Sequence, residues 1–236
     1  MKLRSIVIGF VALAAAAAAG GLSFVAYQAD HDPQYASVVS IADAATYQDP
    51  TLIERAWALP VAALYREGGY EYQANPSFCG PASAANMMQS QGVDVDQRGV
   101  IEGSNVRPIF GLLPRGVSLN TEAELVRAAS GQPVEVLRDL TLEQFRAHIA
   151  ESNDPDVRYI INFHRGPLWG SGHGHFSPVL GYLADADLVF VGDVNDAFRP
   201  FLVPTARLFE AMDTIDSDGN LKRGLLRIDV SAPPRA

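Results

Sequence analysis

Helical signals come first along this chain and β-branched or aromatic runs come mostly later, and that order narrows the fold more than any other feature of the sequence. Asp49-Pro50-Thr51 opens a helix-like stretch that runs to Leu59, with proline at an early position. Residues 79–89 (CGPASAANMMQ) are rich in small residues and methionine and stop before Gly92, which predicts a buried helix with Cys79 in its first turn. Residues 121–129 predict another helix, stopped by Gly131. Thr141-Leu142-Glu143-Gln144 fits a capping box and predicts a helix over 141–150. Strands are predicted at 134–137, 159–163, 176–183, 188–191 and 225–230, each bounded by Gly, Asp, Asn or Pro. This is an α+β pattern, in which a helix bearing a thiol packs on an antiparallel sheet bearing polar partners.

The N-terminus reads as an export segment. Lys2 and Arg4 precede residues 5–27, which carry no charge, and Asp30, His31 and Asp32 end the run. A positive start, an apolar middle and small residues form the pattern of a secretory signal. The run also matches the ~20 residues that a membrane span requires. Residues 1–29 are therefore expected to be a signal peptide or an uncleaved signal-anchor, which also opens a route to membrane anchoring through 5–27. Either places the chain in the periplasm or on the periplasmic face of an inner membrane. Residues 30–48 are expected as a linker or extended arm, and 49–236 as the folded domain.

Composition removes several functions. With 27 acidic and 18 basic side chains the net charge is -9, without the basic stripe that a phosphate backbone needs, so no nucleic-acid partner is expected. One cysteine excludes a disulfide framework and any paired-thiol zinc or redox site.

That cysteine is placed for nucleophilic chemistry. A helix N-terminus favours the thiolate, and Gly80 leaves room for a carbonyl to approach the first-turn amides. The alternative for Cys79 is an inert core thiol. Five histidines could partner it, at 31, 148, 164, 173 and 175. A hairpin joining 176–183 to 188–191 with its turn near 184–185 sets His175 opposite Asp193 on one sheet face, Cβ atoms ~4.5–5.5 Å apart. A carboxylate there holds one imidazole nitrogen and leaves the other for the thiol. His173 would need position 195, which is Asn195. A register slip of one residue would separate the pair.

Three blocks carry a resemblance: Gln73-Ala74-Asn75-Pro76-Ser77-Phe78-Cys79-Gly80, then Gly174-His175-Phe176-Ser177-Pro178 with Gly181-Tyr182, then Gly192-Asp193-Val194. Together they resemble the cysteine, histidine and aspartate signatures of phytochelatin synthases, and the likeness runs from about 60 to 230. The resemblance implies a papain-like cysteine protease fold and a transpeptidase acting on glutathione. It implies Cys79 as nucleophile, His175 as base and then acid, Asp193 as the residue orienting the imidazole, and Gln73 completing the oxyanion hole. Arg165 and Arg223 match arginines expected to grip the γ-glutamyl carboxylate, beside Gly80 and Gly174 at the substrate.

The chain departs from that family where an arginine usually stands three residues after the aspartate. Here it is Asp196, followed by a short Ala197-Phe198-Arg199-Pro200, and Arg199 is a candidate to replace the cation. The resemblance to the short prokaryotic form implies mainly hydrolysis to γ-glutamylcysteine and glycine, with weak phytochelatin synthesis. It implies no bound cofactor or protein-held metal, with zinc or cadmium arriving as thiolates of the substrate, and it leaves a homodimer open. Three rival readings stand beside it: an exported papain-like peptidase on another peptide, a non-enzymatic zinc protein using Cys79, His173, His175 and Asp193, and a catalytically dead binding module.

Overall fold

The computed structural model describes residues 32–113, 116–217 and 219–231. The export segment expected at 1–29 and His31 lie outside the described residues. Residues 33–48, read as linker or arm, run over the domain in two 3-10 turns, and Ile41 and Tyr47 join its core.

Helices α1 (Pro50–Trp57), α2 (Pro60–Glu67), α3 (Cys79–Gln89), α4 (Gln97–Glu102) and α5 (Leu119–Ser130) precede most of the sheet. Strand β1 (Val134–Leu137), α6 (Leu142–Glu151), β2 (Val157–His164), α7 (Gly166–Trp169), β3 (Gly174–Leu183) and β4 (Leu188–Val191) follow. The described chain then closes with β5 (Phe201–Pro204), α8 (Thr205–Met212) and β6 (Leu225–Asp229). The six strands form one antiparallel sheet in the order β1-β6-β2-β3-β4-β5. The α+β expectation thus holds, with helices on both faces of the sheet.

Both faces of the central strand are buried. In β2, Ile160 points into the core shared with α3 and α5, while Tyr159, Ile161 and Phe163 point into the core shared with α6 and α8. Ten of the eleven residues of α3 are buried, because alanine, glycine and serine let its axis approach β3 closely. The capping box at the start of α6 is present, with Thr141 and Gln144 satisfying each other's backbone N–H groups.

The β3–β4 hairpin has a different register from the expected one. Leu183 pairs with Leu188 and Gly181 with Phe190, an odd sum of residue numbers that would put His175 and Asp193 on opposite faces. A bulge at Leu180 then shifts the pairing to Val179 with Val191. The extra residue restores the parity, and Asp193, just beyond the end of β4, becomes a diagonal neighbour of His175 on the same face.

Candidate active site

Helix α3 begins at the cysteine without a side-chain cap, since its N-cap is Phe78. The first-turn amides of Cys79 and Gly80 are therefore left for another acceptor. The approach to this turn is tied down by amide side chains. Asn86 accepts from Glu71 N–H at 2.9 Å and donates back to Glu71 C=O at 2.9 Å, while Gln97 accepts from Ala74 N–H at 2.9 Å.

On the sheet side, His175 Nε2 lies 3.0 Å from Asp193 Oδ1, so Nδ1 is the ring nitrogen free of the carboxylate. Asp193 is fully buried and accepts from two more donors: Arg165 Nη2, at 3.0 and 2.8 Å from its two oxygens, and Asn195 N–H at 2.8 Å. Burial pushes this carboxyl up, but the His175 and Arg165 charges and the Asn195 amide outweigh it and hold it below the usual carboxylate range. Desolvation, reinforced by Arg165, holds His175 below the ordinary imidazole value despite Asp193.

Cys79, only 8% exposed, meets this arrangement at the open end of β3, where the backbone N–H of Phe176 reaches its sulfur. The thiol makes no hydrogen bond to the His175 ring among the described residues; catalytic hydrogen bonds of this kind often tighten only in the substrate complex. The expected depression of the thiol pKa is reversed. Burial pushes Cys79 up to about 11, and the Phe176 and Gly80 amides recover only part of the shift. Burial thus favours the neutral form of both groups.

A cavity of about 220 Å³ opens beside the sulfur, lined by Asn162, His173, Gly174, Asp216 and Arg223 among others. Arg223 lies across Gly174: a Cβ there would stand 2.6 Å from Nη2, so a side chain at this position would have to displace the guanidinium. Nη1 of Arg223 donates to Thr214 Oγ1 and to the Ile215 carbonyl, while Nε is buried without a partner, as is Nδ2 of Asn162.

Two of the expected site residues, one for the substrate carboxylate and one for the oxyanion hole, have other partners here. Arg165 does not line that cavity; its guanidinium serves Asp193 and stacks 3.7 Å over the Phe198 ring centroid. Gln73 is anchored by its own N–H on Val194 C=O at 2.7 Å, but its side-chain Nε2 donates to Asn75 C=O at 3.0 Å. His148 packs against Tyr159, and His164 accepts from Gly166 N–H. Among the described residues no three His, Cys, Asp or Glu side chains converge as metal ligands, so the rival zinc set does not assemble there.

Sequence reasoning passed over Asn162 and Glu122. Glu122 stands on the buried face of α5 with Leu119, Ala123 and Val126, and helical spacing alone marks it as an acid on an apolar stripe.

Comparison with known proteins agrees with the family resemblance. Glutathione gamma-glutamylcysteinyltransferase 3 of Lotus japonicus is 30% identical over 171 residues, 67% of this chain and 36% of the relative. Glutathione gamma-glutamylcysteinyltransferase 2 of Arabidopsis thaliana is 30% identical over 173 residues, 67% of this chain and 38% of the relative. The chain thus spans little more than a third of the length of these curated relatives. Among solved structures, the peptidase domain of Streptococcus ComA, a bi-functional ABC transporter, matches at a TM-score of 0.47 and 15% identity, covering 67% of this chain and 96% of that domain. The sequence model of the phytochelatin synthase family matches residues 50–225, well over half of the sequence, and the chain belongs to that family.

Proposed function

We propose that the chain is a glutathione-cleaving thiol hydrolase and acyltransferase with Cys79 as its nucleophile. The observation that carries this reading is the His175–Asp193 contact of 3.0 Å at the end of the strand whose Phe176 amide meets the thiol. With Nε2 held by Asp193, Nδ1 of His175 takes the thiol proton, and the thiolate attacks the carbonyl of the Cys–Gly peptide bond. The Cys79 backbone N–H and Gln73, once its amide turns from Asn75, receive the oxyanion. The imidazolium returns its proton to the glycine nitrogen as the C–N bond breaks, leaving a γ-glutamylcysteinyl thioester. Water, deprotonated by His175, attacks the thioester and releases γ-glutamylcysteine and the thiol. The amine of a second glutathione in place of water lengthens the chain by one unit, as the minor reaction.

In the 220 Å³ cavity, Arg223 and Asn162 supply unpartnered donors suited to the γ-glutamyl carboxylate. Arg165 acts through Asp193 instead. No resident metal or cofactor enters; zinc or cadmium comes as the thiolate of the substrate. Residues 5–27 carry the domain across the membrane, which protease accessibility in spheroplasts tests. A second reading, a peptidase on a longer peptide, is favoured by a cleft of about 720 Å³ lined by Trp57, Tyr72, Arg66 and Arg199 next to the Gln73 segment.

Mass spectrometry of the full chain incubated with glutathione, with and without zinc or cadmium, tests the proposal. Glycine and γ-glutamylcysteine are expected, and Cys79→Ser should release neither. Intact glutathione with a readily alkylated Cys79 would discard the substrate and keep the peptidase.

A further inference from the structure

One buried ionisable group beside the thiol has no part in the mechanism above. Glu122 is 0% exposed, and neither of its carboxyl oxygens has a hydrogen-bond partner. Its carboxyl lies against the first turn of α3: a Cβ built on Gly80 would stand 2.3 Å from Oε2. The residue next to the nucleophile is thus glycine where an acid occupies the space a side chain would fill.

We propose that Glu122 governs the ionisation of Cys79: as a neutral acid it leaves the thiolate unopposed, and as a carboxylate it suppresses the thiolate and closes catalysis at alkaline pH. The inference rests on Cys79 being the nucleophile. Glu122 is a positioning residue acting through the thiol, since it does not line the cavity beside the sulfur.

The surroundings leave the carboxyl uncompensated. On α3 the titratable neighbour is Cys79. On α4, Arg98 and Glu102 are exposed, as is Glu135 on β1. On β6, Arg227 is paired with Glu151, and Asp229 bonds Ser231. In the loop before β6, Asp216 accepts the Leu119 N–H at the head of α5. No cation among these reaches Glu122 by a hydrogen bond. Burial accordingly pushes its carboxyl up to about 8, and its charge acts on Cys79 in the direction that raises the thiol.

The test is the rate of Cys79 alkylation by iodoacetamide against pH, in the full chain and in Glu122→Gln and Glu122→Leu. At about pH 6, where Glu122 is neutral, all three should react alike; at about pH 9 the variants should react faster, about tenfold for each unit by which the thiol pKa falls. The alkaline limb of glutathione turnover should move upward with them. A structural role alone would change the melting temperature and leave the alkylation profiles superimposed, and superimposed profiles overturn the proposal. Leucine has no polar atom to bury, so it keeps the test available if glutamine disturbs folding. Diverging alkylation profiles in a protein that leaves glutathione intact would uphold the role of Glu122 while rejecting the substrate.

Discussion

The two walls of the candidate site handle buried charge in opposite ways. On the sheet wall, Asp193 is buried and saturated, with His175, both contacts from Arg165 and the Asn195 amide on its two oxygens. On the helix wall, Glu122 is as deeply buried and has no partner at all. Burial pushes both carboxyls up, and only the paired one is brought back down. The lesson is that depth alone does not set the state of a buried acid. One wall is built to keep a charge and the other to exclude one.

The largest effect should come from breaking the saturated wall. Asp193→Ala leaves the Arg165 guanidinium, 7% exposed, without its carboxylate, so unfolding in urea should show a loss of about 3–5 kcal/mol. Glutathione turnover should vanish with it, because nothing then fixes the His175 ring. Retained stability would mean that Arg165 finds another anion, and the contrast between the walls would fail.

A milder change separates two roles for one arginine. Arg165→Lys keeps the charge but loses the two contacts of Nη2 with Asp193 and the planar stacking over Phe198. If Arg165 supports Asp193, kcat should fall by about tenfold or more, worth about 1.4 kcal/mol, with KM for glutathione nearly unchanged. A raised KM at constant kcat would instead return Arg165 to the substrate's carboxylate, as the resemblance alone implied.

Much of this layout is legible in the residues, and the failures have physical causes. The small-residue run 79–89 forms its helix as predicted, since local composition decides how close it can pack. The His175–Asp193 contact was reached through a wrong register: no residue pattern announces the Leu180 bulge that restores the parity. Helices α2, α4, α7 and α8 and strand β5 escaped because short elements draw their stability from packing rather than from local signals. The direction of the Cys79 shift was missed for a related reason. A helix N-terminus is visible in sequence, whereas the desolvation that outweighs it exists only once the sheet covers the thiol. Glu122 was legible, as an acid in step with Leu119, Ala123 and Val126, and was read simply as part of a helix.

The smallest expected effect bears most directly on the contrast. Glu122→Leu replaces two unpartnered buried oxygens with an apolar group and should stabilise the fold by about 1 kcal/mol at neutral pH. The pH dependence then separates the walls. The folded state holds Glu122 protonated up to about 8, whereas an unfolded glutamate releases its proton near about 4.3, so between these values the folded state binds more protons and stability falls as pH rises. Asp193 works in the other direction: its folded carboxyl titrates below the unfolded value of about 3.9, so its contribution is present above that pH and is lost as acid is added. Melting temperature followed from acid to alkaline pH should therefore lose part of its decline between about 4.3 and about 8 in Glu122→Leu, while the fall below about 3.9 stays in place. An unchanged slope between those first two values would mean that Glu122 finds a partner in solution, and the helix wall would then be as well satisfied as the sheet wall.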